Sequence, residues 1–291
     1  MSTAAPGARA ATTPASILDR RSGRGRGKRR ASFWTWFWLV MAALYFLVPL
    51  FSTLLFSLDT GVHQHGLKWY GKTFSDPQFW QTLELSFKIA LETVIIGLAL
   101  MVPTVYWIHL RLPQLRPAMD IISILPFVVP PVALVVGLSG AFQVMPWLLS
   151  NWWLILPLVY VILALPFTYR SLDAGMRAID VRTLTEAAQS CGAPAWKTLL
   201  FVILPNIRTA MLGGAFLTLA IVMGEYTISS LLLFNTFAVY VYYIGNTQAY
   251  QASALAIISF ALTWGAMMAL FVLSRGRGRA GGVGQGAPVG R

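Results

Sequence analysis

The sequence predicts an all-α membrane protein, a bundle of six transmembrane helices with both termini in the cytoplasm. Three observations carry that prediction. Of 291 residues, 57% are hydrophobic and only 11% charged, where a soluble domain carries about 25% charged residues. Six apolar runs, over 33–58, 80–110, 118–145, 153–169, 206–234 and 252–274, approach or exceed the roughly 20 residues that cross a bilayer core. The basic residues alternate with those runs. Of 22 Lys and Arg, all but Lys68, Lys72 and Lys88 lie before residue 33, at 111–116, at 170–208 or after residue 273. That is the positive-inside distribution, so the net charge of +12 reflects topology and not a surface for nucleic acid.

Residues 1–32 are rich in Ala, Thr, Gly and Arg and read as a disordered, basic cytoplasmic tail suited to anionic lipid. The tail is too long, and the apolar run after it too extended, for a secretory signal. The first span opens on Trp34, Trp36, Phe37 and Trp38, an aromatic belt for the membrane interface. An outer loop over 59–79 follows, with His63 and His65 at a spacing that no further ligand completes into a metal site. The second span carries Glu84, Lys88 and Glu92 at i, i+4 spacing, on one face where they can pair. Glu92 is deeper than Glu84. An ionisable group there is costly unless paired or facing water, so it either lines a path or is neutralised by Lys88.

Arg111 to Pro117 is a short inner turn, and His109 before it reads as a neutral interfacial histidine. The third span contains Pro126, Pro130 and Pro131, which predicts a bent helix with an irregular centre. An outer turn over 146–152 leads to the fourth span, near the lower limit of length. The fifth span starts after the cytoplasmic segment and holds Gly213, Gly214 and Ala215, which permit close helix approach. Gly224 lets the backbone open at Glu225. A buried carboxylate there either attracts a cationic amine on its way through or bonds a neighbouring helix or amide and shapes the bend. Tyr226 beside it supplies a polar aromatic wall. Residues 245–251 are polar and external, and 275–291 form a second basic, glycine-rich inner tail.

Between spans four and five, residues 180–205 read as ordered structure. Asp180 or Thr183 is a helix cap, Thr183 with Glu186 fits a capping box, and Gly192 is placed to end the helix in the left-handed conformation. Pro194 is preset for the first turn of a second helix, whose Trp196, Leu199, Leu200 and Ile203 share one apolar face. Leu204-Pro205 then stops it. Glu186-Ala187-Ala188, Gly192, Val202, Leu204 and Pro205 resemble the EAA loop of the permease subunits of binding-protein-dependent ABC importers, of the type I, MetI-like fold. Val202 stands where that pattern has Ile. Gly224 to Leu232 also resembles members that carry polyamines, opines or phosphonates.

The resemblance implies that 181–203 form coupling helices seated in a groove of a cytoplasmic ATPase. Glu186, Ala187, Ala188, Gly192, Leu204 and Pro205 would make or transmit that contact. It also implies a second permease subunit, an extracytoplasmic solute-binding protein and a bacterial plasma-membrane location. The sequence has no G-x-x-x-x-G-K-[ST] loop, so ATP hydrolysis by that route belongs to another chain. No catalytic constellation and no cofactor are expected. Cys191, the single cysteine, excludes an internal disulfide and reads as a packing residue. The competing expectation is an ion-coupled secondary transporter using Glu92 and Glu225 as proton sites.

Overall fold

The computed structural model describes residues 33–59, 66–144 and 152–275. The predicted tails, His63, His65 and most of the outer turn before Trp152 lie outside these residues. The elements among the described residues are helices joined by short turns. Helix α1 is Phe33–Leu58, α2 is Lys68–Ser75 and α3 is Pro77–Arg111. Then come α4 (Arg116–Val128), α5 (Pro131–Val144) and α6 (Trp152–Arg177). A hairpin of α7 (Val181–Ser190) and α8 (Ala195–Asn206) leads to α9 (Arg208–Gly224). Helices α10 (Thr227–Leu231), α11 (Phe237–Thr247) and α12 (Ala249–Arg275) complete the chain. Among the described residues four helices are long and apolar enough to cross a membrane, and two bent pairs raise the candidate count to six. The chain divides into two units, Met1–Phe51 and Ser52–Arg291. The second contains three hydrophobic clusters.

The third span is bent as expected: its two arms meet at 91°. Pro130 and Pro131 have no N–H to give the carbonyls one turn back, so the helix cannot run through. Three features depart from expectation. The outer loop contains α2, closed by Asp76, whose carboxylate accepts from the Gln78 amide at 2.9 Å to start α3 with Pro77 in its first turn. Asp-Pro at that junction is a readable start signal that hydropathy alone obscures. The fourth span continues past residue 169 to Arg177, one further stretch of helix below the apolar run. The fifth span does not reach residue 234 unbroken, because α9 ends at Gly224.

The core is organised by α3, α6 and α9, which pack on one another. At one end Val102, Tyr106, Tyr169, Leu172, Met176, Val181, Ile203 and Ile207 form a cluster that joins these helices to the hairpin. Near the break after α9, Ile89, Tyr160, Val222, Ile228 and Phe234 form a second. Phe79, Leu83, Phe237, Tyr240 and Leu255 form the third, where α11 is held between α3 and α12. Helix α6 approaches α9 closely because it presents glycine: a Cβ on Gly175 would sit 2.4 Å from the Ala210 Cβ. Ser171 donates to the Ala210 carbonyl at 2.7 Å, so the same seam is hydrogen-bonded.

Candidate functional site

The hairpin begins where Asp180 caps α7. Its carboxylate accepts from the Thr183 amide at 3.1 Å and from the Thr183 hydroxyl at 2.7 Å. Thr183 is therefore inside the first turn and not the cap. Glu186 does not close a capping box. It reaches back to Arg182 Nε at 2.9 Å instead. The Thr183 amide and hydroxyl hold the Asp180 carboxyl below its usual range. A depressed carboxyl contributes stability above its unfolded value, and that contribution is lost as pH falls through the folded value. The cap is thus intact at neutral pH and fails only below the ordinary carboxylate range. Asp180→Ala is expected to speed amide exchange at Thr183 and Leu184 at pH 7, and to remove the acid-range loss of protection at these amides that remains once the intrinsic pH dependence of exchange is divided out.

Helix α7 stops as a Schellman turn. The Gly192 amide bonds the Gln189 carbonyl at 2.8 Å and the Ala193 amide bonds the Ala188 carbonyl at 3.1 Å. Gly192 has φ +82°, the left-handed region that costs a residue with a Cβ. Pro194 is the cap of the next helix, extended at ψ 159°, and so precedes its first turn. Within α8, residues Thr198–Ile203 form a π-helical stretch, with the Leu204 amide bonded to the Leu199 carbonyl five residues back. Pro205 brings no N–H to this turn, and the wider i→i+5 pattern absorbs the gap. Helix α8 therefore continues through Leu204 and Pro205 to Asn206, whose side chain donates to the Val202 carbonyl at 2.7 Å. The chain then turns 78° into α9.

The π-helical stretch rotates the register, so the four apolar residues of α8 do not share a face. Ile203 is buried and Leu199 packs on the base cluster, whereas Trp196 is 58% and Leu200 47% exposed. Helix α7 is likewise two-sided. Val181 and Leu184 join the base cluster, and Thr185 meets the Tyr106 hydroxyl at 3.2 Å. Glu186 and Ala187 are exposed and Ala188 is half-buried. Leu204 is half-buried and Pro205 exposed. One side of the hairpin is thus fixed to α3 and α6, while charge and three large apolar side chains, Trp196, Leu200 and Phe201, are exposed.

Beneath the hairpin lies a group that the sequence did not reveal. Asp173 accepts from His109 Nε2 at 2.8 Å and from Arg177 Nε at 2.8 Å. Arg116 donates to His109 Nδ1 at 2.9 Å. A guanidinium only donates, so Nδ1 carries no proton and the imidazole is neutral. This chain of contacts ties α3, α4 and α6 together beside the hairpin. The bonded pair His109 and Asp173 lie 64 residues apart, beyond any local pattern.

At the other site, α9 ends at Gly224 and Glu225 is extended, at ψ 116°. The Glu225 carboxylate bridges the break. It accepts from the Ile228 amide at 2.8 Å, from the Ser229 amide at 3.2 Å and from the Tyr160 hydroxyl at 2.7 Å. Those amides are the free first-turn donors of α10, which a carboxylate suits. Tyr226 packs its ring 4.5 Å from that of Tyr242 and lines a cavity of about 520 Å³ with Met223, Phe237, Val241, Ser259 and Thr263. Glu92 lines a second cavity, of about 350 Å³, together with Lys88, Trp153 and Asn235. Glu92 therefore stands apart from the cavity Tyr226 lines. The expected pairing of Lys88 with Glu84 or Glu92 does not occur: the ion pairs among the described residues involve Asp173 and Glu186.

Comparisons with known proteins agree with this architecture. The family described as binding-protein-dependent transport system inner membrane component matches residues 106–274, more than half of the chain. The y4fN protein of Sinorhizobium fredii, named for ABC transporter permease function, is 28% identical over 207 residues, covering 66% of this chain and 36% of its own length. FbpB 1 of Haemophilus influenzae, whose name places it in ferric transport, is 29% identical over 45% of this chain and 20% of its own length. This chain thus spans about a third or less of those two relatives. YvgM of Bacillus subtilis, named for molybdenum transport, is 25% identical over 53% of this chain and 72% of its own length. Among solved structures, a bacterial alginate ABC transporter in complex with an alginate pentasaccharide-bound periplasmic protein superposes with a TM-score of 0.62. It is 18% identical and covers 82% of this chain and 93% of that one. The likeness is one of fold.

Proposed function

We propose that this chain, which belongs to the family of binding-protein-dependent transport system inner membrane components, is the permease subunit of an ATP-driven solute importer. In this reading six spans cross the bacterial plasma membrane with both termini in the cytoplasm. A separate ATPase supplies the stroke, a second permease subunit completes the pathway, and an extracytoplasmic binding protein delivers the solute. The observation that carries the reading is the two-sided hairpin Val181–Asn206. Its inner side is packed into the base cluster, so a push on the hairpin reaches α3, α6 and α9 as one body. Its outer side leaves Glu186, Trp196 and Leu200 for a partner, the arrangement of helix-in-groove recognition. Closure of an ATPase pair would then rock the helices and alternate access.

The pathway side involves Tyr226 and Glu92, which line the two cavities, and Glu225, which holds the break between α9 and α10. The solute is small and carries an amine or phosphonate group, as in the polyamine, opine and phosphonate carriers that Gly224 to Leu232 resembles. The secondary-transport alternative would use Glu92 and Glu225 as proton sites, but the Glu225 carboxylate is already engaged by three donors at the break between α9 and α10.

Glu186→Lys tests the hairpin. Its exposed pair with Arg182 contributes little to folding, so the variant is expected to fold normally. It would place two cations one turn apart on the docking face. ATPase co-purification should fall about tenfold or more, the effect of replacing a favourable charge contact by a repulsive one. Undiminished capture together with normal ATP-dependent uptake would reject the assignment.

A further inference from the structure

We infer that the cavity between α3 and the loop after α10 is a binding site for a small zwitterion, with Lys88 holding its anionic end and Glu92 its ammonium. The inference rests on the permease reading and names the chemical class of its solute. Two opposite charges stand one helical turn apart on the same cavity wall, of about 350 Å³, and neither forms an ion pair. Side chains at that spacing are neighbours, about 5–6 Å apart at their Cβ atoms. Their order, Lys before Glu, is the less favourable one for pairing along a helix. An uncompensated charge within a span is costly and marks a path or a ligand site. Lys88, exposed, and Glu92, half-buried, line this wall without an ion pair, whereas the Glu225 carboxylate accepts three hydrogen bonds.

The opposite wall is built and held. Leu233 has φ +61°, a strained conformation for a branched side chain, and it is 90% exposed. The loop keeps this shape through three anchors. The Phe234 amide bonds the Ser229 carbonyl at 2.8 Å, Thr236 donates to Ser229 Oγ at 3.0 Å, and the Phe237 amide donates to Ser86 Oγ at 2.8 Å. Ser86 lies on α3, so the last anchor ties the loop to the helix that carries Lys88 and Glu92. Strain retained by surrounding contacts points to a function for the loop. Here it places Asn235, a donor and acceptor, and Trp153, a broad apolar face, on the same cavity. A ligand with one charge would leave either Lys88 or Glu92 unpaired. A small zwitterion can satisfy both, because side chains one turn apart are neighbours on the helix surface.

The test uses the full chain in lipid nanodiscs and ligand-observed NMR with three probes of one size: β-alanine, propionate and propylamine. β-Alanine alone is expected to show saturation transfer. Lys88→Met and Glu92→Gln should each weaken its binding about tenfold, the value of one charged hydrogen bond, while Lys88→Arg retains it. Equal signals from all three probes, a signal from only one singly charged probe, or undiminished β-alanine binding in both charge-removing variants would each overturn the zwitterion site. The assay needs neither ATPase nor transport. A negative result therefore leaves the hairpin assignment intact, and undiminished ATPase capture by Glu186→Lys would reject that assignment without altering the β-alanine result.

Discussion

Gly175→Ala is expected to lower the unfolding midpoint of the purified chain and to uncouple ATPase activity from uptake, and Ala210→Gly in the same chain is expected to restore both. The new methyl would lie 2.4 Å from the Ala210 Cβ and 3.6 Å from that of Ile207. Two opposing effects bear on the outcome. Replacing glycine by alanine within a helix favours folding by about 1 kcal/mol. Overpacking a close helix contact costs about 1–3 kcal/mol, and here neither contacting atom belongs to a flexible side chain, so the clash dominates. Relief comes only if α6 and α9 move apart. That displacement occurs at the corner where α8 turns into α9, so it also shifts the hairpin. Ala210→Gly alone loses about 1 kcal/mol of helix propensity. In the double variant the two propensity changes cancel and the methyl has merely changed sides. A thermal melt of the four proteins measures this as a coupling of about 2 kcal/mol, in the range found for residues in contact. Additive destabilisation would show that the two helices do not meet there as described.

Local signals made the hairpin legible. Asp180, Gly192 and Pro194 each impose a backbone state that hardly depends on the rest of the molecule, and the structure places two short helices with a left-handed glycine between them. What could not be read was the register within α8. The π-helical stretch at Thr198–Ile203 arises from the missing N–H of Pro205 acting on a helix already docked at Ile203. A period of 3.6 residues applied to Trp196, Leu199, Leu200 and Ile203 gives one face where there are two. The third span was legible because three prolines leave a helix little choice. Helix α11 was not. Its eleven residues are apolar but too short to cross a bilayer, and only packing against α3 and α12 turns them into an ordered arm. The site residues divide in the same way. Glu225 and Glu92 were visible as charges in apolar runs. Tyr160, which donates to Glu225, and Asn235, which shares a cavity with Glu92, carry no signal until distant helices are brought together.

Glu225→Leu is expected to destabilise the chain by about 3 kcal/mol or more, and to do so in nanodiscs without any ligand present. Leucine is close in size and would leave three donors, the Ile228 and Ser229 amides and the Tyr160 hydroxyl, with no acceptor. Hydrogen bonds to a charged group contribute about 1.5–3 kcal/mol each, and an unsatisfied buried donor costs about 1–3 kcal/mol. Tyr160 is 1% exposed, so water cannot replace the lost partner there. Helix α10 has five residues, too few to persist without a capped first turn, and its loss would release the loop that carries Leu233 and Asn235. Glu225→Gln separates the two roles open to this carboxylate. Its amide oxygen still accepts from one backbone amide, so a residue that shapes the break should lose only part of that stability. A residue that binds a cationic solute directly would instead keep its melting midpoint and lose uptake. The melting midpoints of the Leu and Gln variants, set beside their uptake rates, therefore decide whether Glu225 acts on the solute or holds the break in place.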